Sequence, residues 1–177
     1  MKMDETPADG APQEPAPESK PPSPNALQAY DVLGRFLEED DWRPERIEDR
    51  YAYRMRYNGK HGEYRCTAQV RVDLEQFIFY AVVGVKAPEE VRPAVAEFLA
   101  RANYGLRVGN FELDFADGEV RYKSSLDFEG ELLTPNWLRH AIYPAVQTLD
   151  RYVPGLLKVA FGGRTPFEAI EEIEGTR

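Results

Sequence analysis

The chain is 177 residues long and sets 22 Lys and Arg against 31 Asp and Glu, a formal charge of −9 that repels phosphate backbones and disfavours sequence-independent nucleic-acid binding. A single cysteine excludes an intramolecular disulfide framework, and one Cys with two His falls short of a structural zinc site. No basic segment followed by an apolar stretch opens the sequence, and its longest apolar run, residues 77–85, is far shorter than the ~20 residues of a membrane helix; a cytoplasmic chain without a membrane segment is expected.

Residues 1–24 hold seven of the 14 prolines and no aromatic residue. So little apolar surface cannot offset the entropy of ordering, and the segment reads as a disordered acidic tail ahead of one domain over residues 25–177. A helix opens at Ser23-Pro24, as cap and first residue, or at Asn25, which makes a capping-box-like pair with Gln28. Its apolar stripe is Leu27, Tyr30, Leu33, Gly34 and Leu37. It closes at Glu38, Glu39, Asp40 and Asp41, whose charge opposes the negative end of a helix dipole.

Three strands follow. Tyr51, Tyr53, Met55 and Tyr57 alternate with Ala52, Arg54 and Arg56 up to Asn58-Gly59, a hairpin signal. Tyr64, Cys66, Ala68, Val70, Val72 and Leu74 then share one face, opposite Arg65, Thr67, Gln69, Arg71 and Asp73, as in a half-buried antiparallel strand. The run 77–85 is apolar at every position and reads as a central strand covered on both faces. A helix over residues 88–104 carries Val91, Val95, Phe98, Leu99 and Ala102. Pro93 makes it either start near Arg92 or kink. Phe111, Leu113 and Phe115 lead to the Asp117-Gly118 turn, and Val120, Tyr122, Ser124, Leu126 and Phe128 return inward. Thr134-Pro135 opens a long helix that Pro144 should kink and Pro154 should end. Thr165, Pro166 and Glu168 form a capping box for a last short helix. The order α-β-β-β-α-β-β-α-α describes an α+β domain with an antiparallel sheet of about five strands.

No phosphate-loop, dinucleotide, nucleophile-elbow or zinc-protease motif occurs. Gly162-Gly163-Arg164-Thr165 reads as a helix-ending loop rather than an anion site. His61 and His140 have no sequence-local acid to orient them and read as incidental, and Cys66 shares the core phase of its strand. Glu112 and Asp114, two apart on one strand, have the spacing of a hydrolytic carboxylate pair, but Arg121 and Lys123 across the hairpin account for them as ion pairs. The most informative surface signal is Arg54, Arg56, Arg65 and Arg71, all on the polar face of the first hairpin. Such a strip suits a partner surface. Single-stranded nucleic acid would need aromatic platforms on that same face, and the hairpin tyrosines fall in the opposite phase.

This order of elements, with Phe98-Leu99-Ala100-Arg101-Ala102-Asn103, Gly109-Asn110-Phe111-Glu112-Leu113-Asp114, Asp117-Gly118-Glu119-Val120 and Thr165-Pro166-Phe167-Glu168-Ala169-Ile170, resembles the YbjN family over roughly residues 26–174. The resemblance implies a type III secretion chaperone-like fold, a bacterial sensory-transduction or stress-regulator role, no catalytic site and no cofactor or metal. It also implies a homodimer, with Val95, Phe98, Phe111 and Leu113 as the places to look for the interface. The expectation is a non-enzymatic, self-associating module that binds a partner protein. The acidic charge favours a basic partner, with an indirect link to nucleic-acid metabolism; direct nucleic-acid binding and a paired-carboxylate hydrolase are the alternatives.

Overall fold

The structure is a computed structural model that describes residues 21–175, so the expected disordered tail lies outside the described residues as far as residue 20. Ser23 and Pro24 belong to the domain. The Ser23 hydroxyl caps α1 (Pro24–Glu39) by accepting from the Ala26 N–H at 3.0 Å. Asn25 instead donates to the Glu75 carboxylate (2.9 Å) and to the Glu131 carbonyl (3.0 Å), tying the start of α1 to two loops. Of the expected stripe, Leu27 is turned to solvent, and Ala26, Ala29 and Phe36 join the buried side.

The sheet has six strands, one more than the alternation of residues reveals. The added strand is β1 (Glu45–Ile47), three residues that follow Arg43 in a left-handed conformation (φ 51°) and Pro44. Then come β2 (Ala52–Asn58), β3 (Glu63–Arg71), β4 (Gln76–Val82), a 3-10 turn (Glu89–Val91), α2 (Arg92–Asn103), β5 (Asn110–Leu113), β6 (Val120–Asp127), α3 (Pro135–Phe161) and α4 (Pro166–Glu174). Pro93 sits in the first turn of α2, where its missing N–H has no intrahelical partner to lose. Leu74 and Phe115 fall outside β3 and β5 and are exposed.

All pairings are antiparallel, in the order β1-β2-β3-β4-β6-β5. Along β2, β3, β4 and β6 the inward set, including Tyr53, Met55, Tyr64, Cys66, Ala68, Val70, Phe77, Phe79, Ala81, Val120, Tyr122 and Ser124, is buried under the helices. α3 is the spine of that layer and packs against α1, α2, α4, β4 and β6. Trp42 stacks on Tyr57 at 5.5 Å and meets Tyr143 at 5.7 Å. At the other end Phe111 touches Tyr122 (4.9 Å) and Tyr152 (5.6 Å). β4 is not covered on both sides: its outward residues Ile78, Tyr80 and Val82 are half-buried, with no helix above them.

The first hairpin does not turn tightly at Asn58-Gly59. The chain makes a four-residue loop closed by the Gly59 N–H on the Gly62 carbonyl (2.8 Å), and Gly59 keeps a negative φ. Space demands that glycine, since a Cβ there would lie 2.3 Å from the Asp150 carboxylate. Gly118, by contrast, has φ 80° and would strike the Ala87 carbonyl at 2.1 Å. Its turn joins β5 and β6 as the sequence implies.

Pro154 does not end the long helix. α3 continues from Pro135 through Pro144 and Pro154 to Phe161. Pro154 has no N–H for the carbonyl four residues before it, that of Asp150. His61 Nδ1 lies 2.8 Å from this oxygen, and because a carbonyl only accepts, Nδ1 carries the proton and donates. A side chain from the hairpin loop thus replaces the helical bond that proline deletes. His61→Ala should cost about 1 kcal/mol. In a Pro154→Ala background, where residue 154 regains its N–H, the same substitution should cost less than half as much, as measured by urea unfolding of the double-mutant cycle.

Candidate functional site

Residues directly opposite in neighbouring strands share a face, so the pairing register maps the outer surface of the sheet. One row runs Glu45, Arg54, Thr67, Tyr80, Lys123, Asn110 across all six strands. The next runs Arg56, Arg65, Val82, Arg121, Glu112. Gln69, Ile78 and Ser125 lie in line beyond Thr67, Tyr80 and Lys123, and Arg71, Gln76 and Asp127 form the last row. The face therefore carries Arg54, Arg56, Arg65, Arg71, Arg121 and Lys123 against Glu45, Glu63, Glu112 and Asp127. Counting Asp73, which lies just past β3 and pairs with Arg71, six cations meet five acids in a chain whose net charge is −9, so the acid excess lies elsewhere.

The register brings all four arginines singled out in the sequence onto this one face, but they are not equivalent. Arg56 pairs with Glu63 at 2.7 Å and Arg71 with Asp73 at 3.0 Å. Arg54 and Arg65 have no carboxylate within 4.0 Å among the described residues. Arg121 and Lys123, expected as ion-pair partners across the second hairpin, complete the face. Arg121 lies over the Tyr80 ring, 4.3 Å from its centroid, and is held there by Glu112 at 2.7 Å, while Lys123 reaches the same carboxylate at 3.3 Å. The signal for Tyr80 was its i, i+2 phase with Ile78 and Val82, hidden by the equally apolar residues between them. Tyr80 thus puts an aromatic ring on the arginine face, where sequence phase had placed none.

Glu112 and Asp114 line one cleft together with Glu119 and Arg121, but the two carboxylates are held by different partners. Burial acts to raise the Glu112 pKa, and hydrogen bonds from Arg121 and Lys123 overcome it, leaving the group below the ordinary carboxylate range. Asp114 is exposed beyond the end of β5 and accepts from the Ala116 N–H at 2.7 Å. Cys66 is 1% exposed and burial pushes its thiol up to about 12, so it packs as an apolar group. No group of three or more His, Cys, Asp or Glu among the described residues has the arrangement of a metal site. No helix among the described residues is long and apolar enough to cross a membrane.

Val95 and Phe98 are fully buried and Phe111 is 4% exposed, all three inside the core of the chain itself. They have no surface to offer a second copy. Only Leu113 of the expected interface set is partly accessible.

Where residue 45 begins β1, a cleft of about 560 Å3 opens beside β2. It is lined by Trp42, Arg43 and Glu45 on one wall and by Arg54, Arg56, Asn58 and Arg65 on the other. On the opposite side of the hairpin, His61 is not incidental. Asp150 of α3 accepts from the Lys60 N–H (3.0 Å), the His61 N–H (2.8 Å) and the Tyr64 hydroxyl (2.7 Å), and pins the loop. Its sequence distance of 89 residues from His61 hid the pair.

The family model described as "putative bacterial sensory transduction regulator", YbjN, matches residues 29–158. This chain belongs to the YbjN family. Among solved structures, the crystal structure of YbjN, "a putative transcription regulator from E. coli", is similar with a TM-score of 0.53 at 14% identity, covering 68% of this chain and 84% of that one. At that identity the likeness shows the fold. No curated protein matches. The matched YbjN segment contains the whole arginine face and ends inside α3, before α4.

The Asp150 clamp titrates. Burial raises the Asp150 pKa, but the His61, Tyr64 and Lys60 donors together bring it below the ordinary carboxylate value. A depressed folded pKa contributes stability that is complete above the unfolded value of ~3.9 and is lost as pH falls through the folded one. Asp150→Asn should therefore cost about 1–2 kcal/mol near neutral pH. Urea unfolding of both proteins should show the gap closing as pH drops below ~3.9 and not between pH 8 and 6.

Proposed function

We propose that this YbjN-family chain is a non-catalytic regulatory module that seats a segment of a partner protein on the outer face of its sheet. The observation that carries the reading is the composition of that face: Ile78, Tyr80 and Val82 form a half-buried apolar strip with no helix over it, flanked by Arg65 on β3 with Arg54 one strand further out, and neither arginine has an acid partner among the described residues. An apolar centre with a polar, charged rim is the anatomy of a protein-recognition patch. The chain's overall charge favours basic bodies at long range, but surface charges further apart than a Debye length of ~8 Å are screened in the cell. The local cationic sign governs contact, so the seated segment is acidic. Self-association belongs to the same reading on the family resemblance, through surface other than Val95, Phe98 and Phe111. Light scattering that finds a strict monomer at high concentration removes that part.

Direct binding of single-stranded nucleic acid is the second reading, favoured by Tyr80 sharing the arginine face. Against it, Tyr80 is one ring where stacking modules present two or three, and Arg121 already occupies one side of it. The test replaces Tyr80 with the photo-cross-linker benzoylphenylalanine in full-length chain in its native cells. The expected result is a cross-linked protein that Arg54→Glu with Arg65→Glu reduces about tenfold or more, as like charges replace complementary ones. A probe at His140 on α3 serves as control. Equal cross-linking from both positions, or none from Tyr80, overturns the reading. Cross-linked oligonucleotide, with affinity falling by a slope of roughly −0.7 per phosphate against log salt, establishes the second one.

A further inference from the structure

The edge of the sheet beside the arginine face is open for half of its length, and the backbone shows why. At the two ends of the first hairpin the Val70 N–H donates to the Tyr51 carbonyl (2.9 Å) and the Gly59 N–H to the Gly62 carbonyl (2.8 Å). Antiparallel pairing alternates, so the odd-numbered residues of β2 exchange bonds with β3 and the even-numbered ones turn their N–H and C=O groups the other way. β1 meets that second edge at Ala52 and Arg54, opposite Ile47 and Glu45. It stops there because Arg43, the residue that would next meet Arg56, has φ 51° and turns the chain aside. The backbone groups of Arg56 and Asn58 are left facing the cleft, with no backbone partner among the described residues. Residues 55–58 offer about 13 Å of strand to an added segment.

We propose that an extended acidic segment of the partner adds to this edge as a strand, continuing the sheet past β1 and bonding to the Arg56 and Asn58 backbone. The inference rests on the partner-binding reading above and names the mode and chemistry of that contact. Strand addition supplies affinity through main-chain bonds, and alternate side chains of the segment supply specificity. Those on the outer side lie next to Arg56 and Asn58 and close to Arg54 and Arg65, in a cleft whose four arginines face three acids. Of these, Arg43 pairs with Asp41 and Arg56 with Glu63, both exposed pairs that exchange readily, while Arg54 and Arg65 have no acid partner among the described residues. Those on the inner side meet the half-buried Tyr57 ring, which Trp42 backs at 5.5 Å. The segment is therefore acidic at every second position and apolar between. Lys at those positions would set like charges against Arg54 and Arg65.

The test titrates full-length chain with an acetylated peptide of alternating Glu and Val and follows backbone amides by NMR and hydrogen exchange. The expected outcome is protection of the Arg56 and Asn58 amides. Binding should be at least about tenfold weaker for the Lys-Val counterpart and for the Arg54→Glu, Arg65→Glu double variant. N-methylation of the peptide on its pairing edge should abolish binding without changing its charge. That arm alters only the peptide, so it stands even where a chain variant misfolds. Binding that survives N-methylation and leaves both amides unprotected overturns strand addition while the face reading stands. Absence of any binding by the Glu-Val peptide overturns the inference, and Tyr80 cross-linking then decides the face reading on its own. Amides already protected in the free chain, and released by dilution or by deleting residues 1–20, assign the edge to a second copy or to the chain's own tail and overturn it as well.

Discussion

Everything on the outer surface of this molecule follows from a one-sided layer. Four helices lie on a single face of a six-stranded sheet, held there because the inward phase of β2, β3, β4 and β6 carries the large apolar side chains and α3 runs across them. The outward phase must then be made compatible with water by its own side chains. Arg121 lays its stem and guanidinium over Tyr80, and Glu112 fixes it in place from β5. Long cationic side chains cover apolar surface while keeping their charge wet, so part of the cationic character of the face is the cover that Arg121 gives Tyr80. The same cover is movable, since its ion pairs are partly exposed and worth at most about 1 kcal/mol each. A face solvated in this way is stable alone and available to a partner, and neither property requires a pocket.

Much of this architecture was readable because its signals are local. Period-two alternation marked β2, β3 and β6, and side-chain caps marked helix starts: Thr134 accepts from the Trp137 N–H, and Thr165 with Glu168 forms the full capping box. What escaped depends on partners far away in sequence. β1 is too short to show alternation, and it ends through backbone geometry at residues 43 and 44. β4 is apolar in both phases, and burial under helices cannot be told from burial under arginine stems by composition. Pro154 looks like a helix end until His61 reaches across from a loop to serve the carbonyl that proline strands. Val95, Phe98 and Phe111 show how a shared apolar phase misleads about surfaces. The stripe that would pair two molecules is the stripe that packs α2 on β5 and α3 within one.

Sequence phase placed the arginine strip on one face, and the register shows how its members differ. Arg56 and Arg65 are directly opposite each other on adjacent antiparallel strands, a like-charge juxtaposition that destabilises a bare hairpin. Glu63 relieves it from one side only, by pairing with Arg56. Arg54 faces Thr67 across β3 and stands opposite Glu45 on β1, yet no ion pair forms between Arg54 and Glu45. Two positive charges are thus concentrated without local neutralisation at the end of the sheet where β1 fails, in a protein that is otherwise strongly acidic. Folding alone does not call for that placement, since either position on an exposed strand tolerates Thr, Gln or Lys. Among the described residues, a cationic pair without acid partners coincides here with an unpaired backbone edge, and the proposed strand addition would draw on both: main-chain donors and acceptors to hold a strand, and charge to choose which strand.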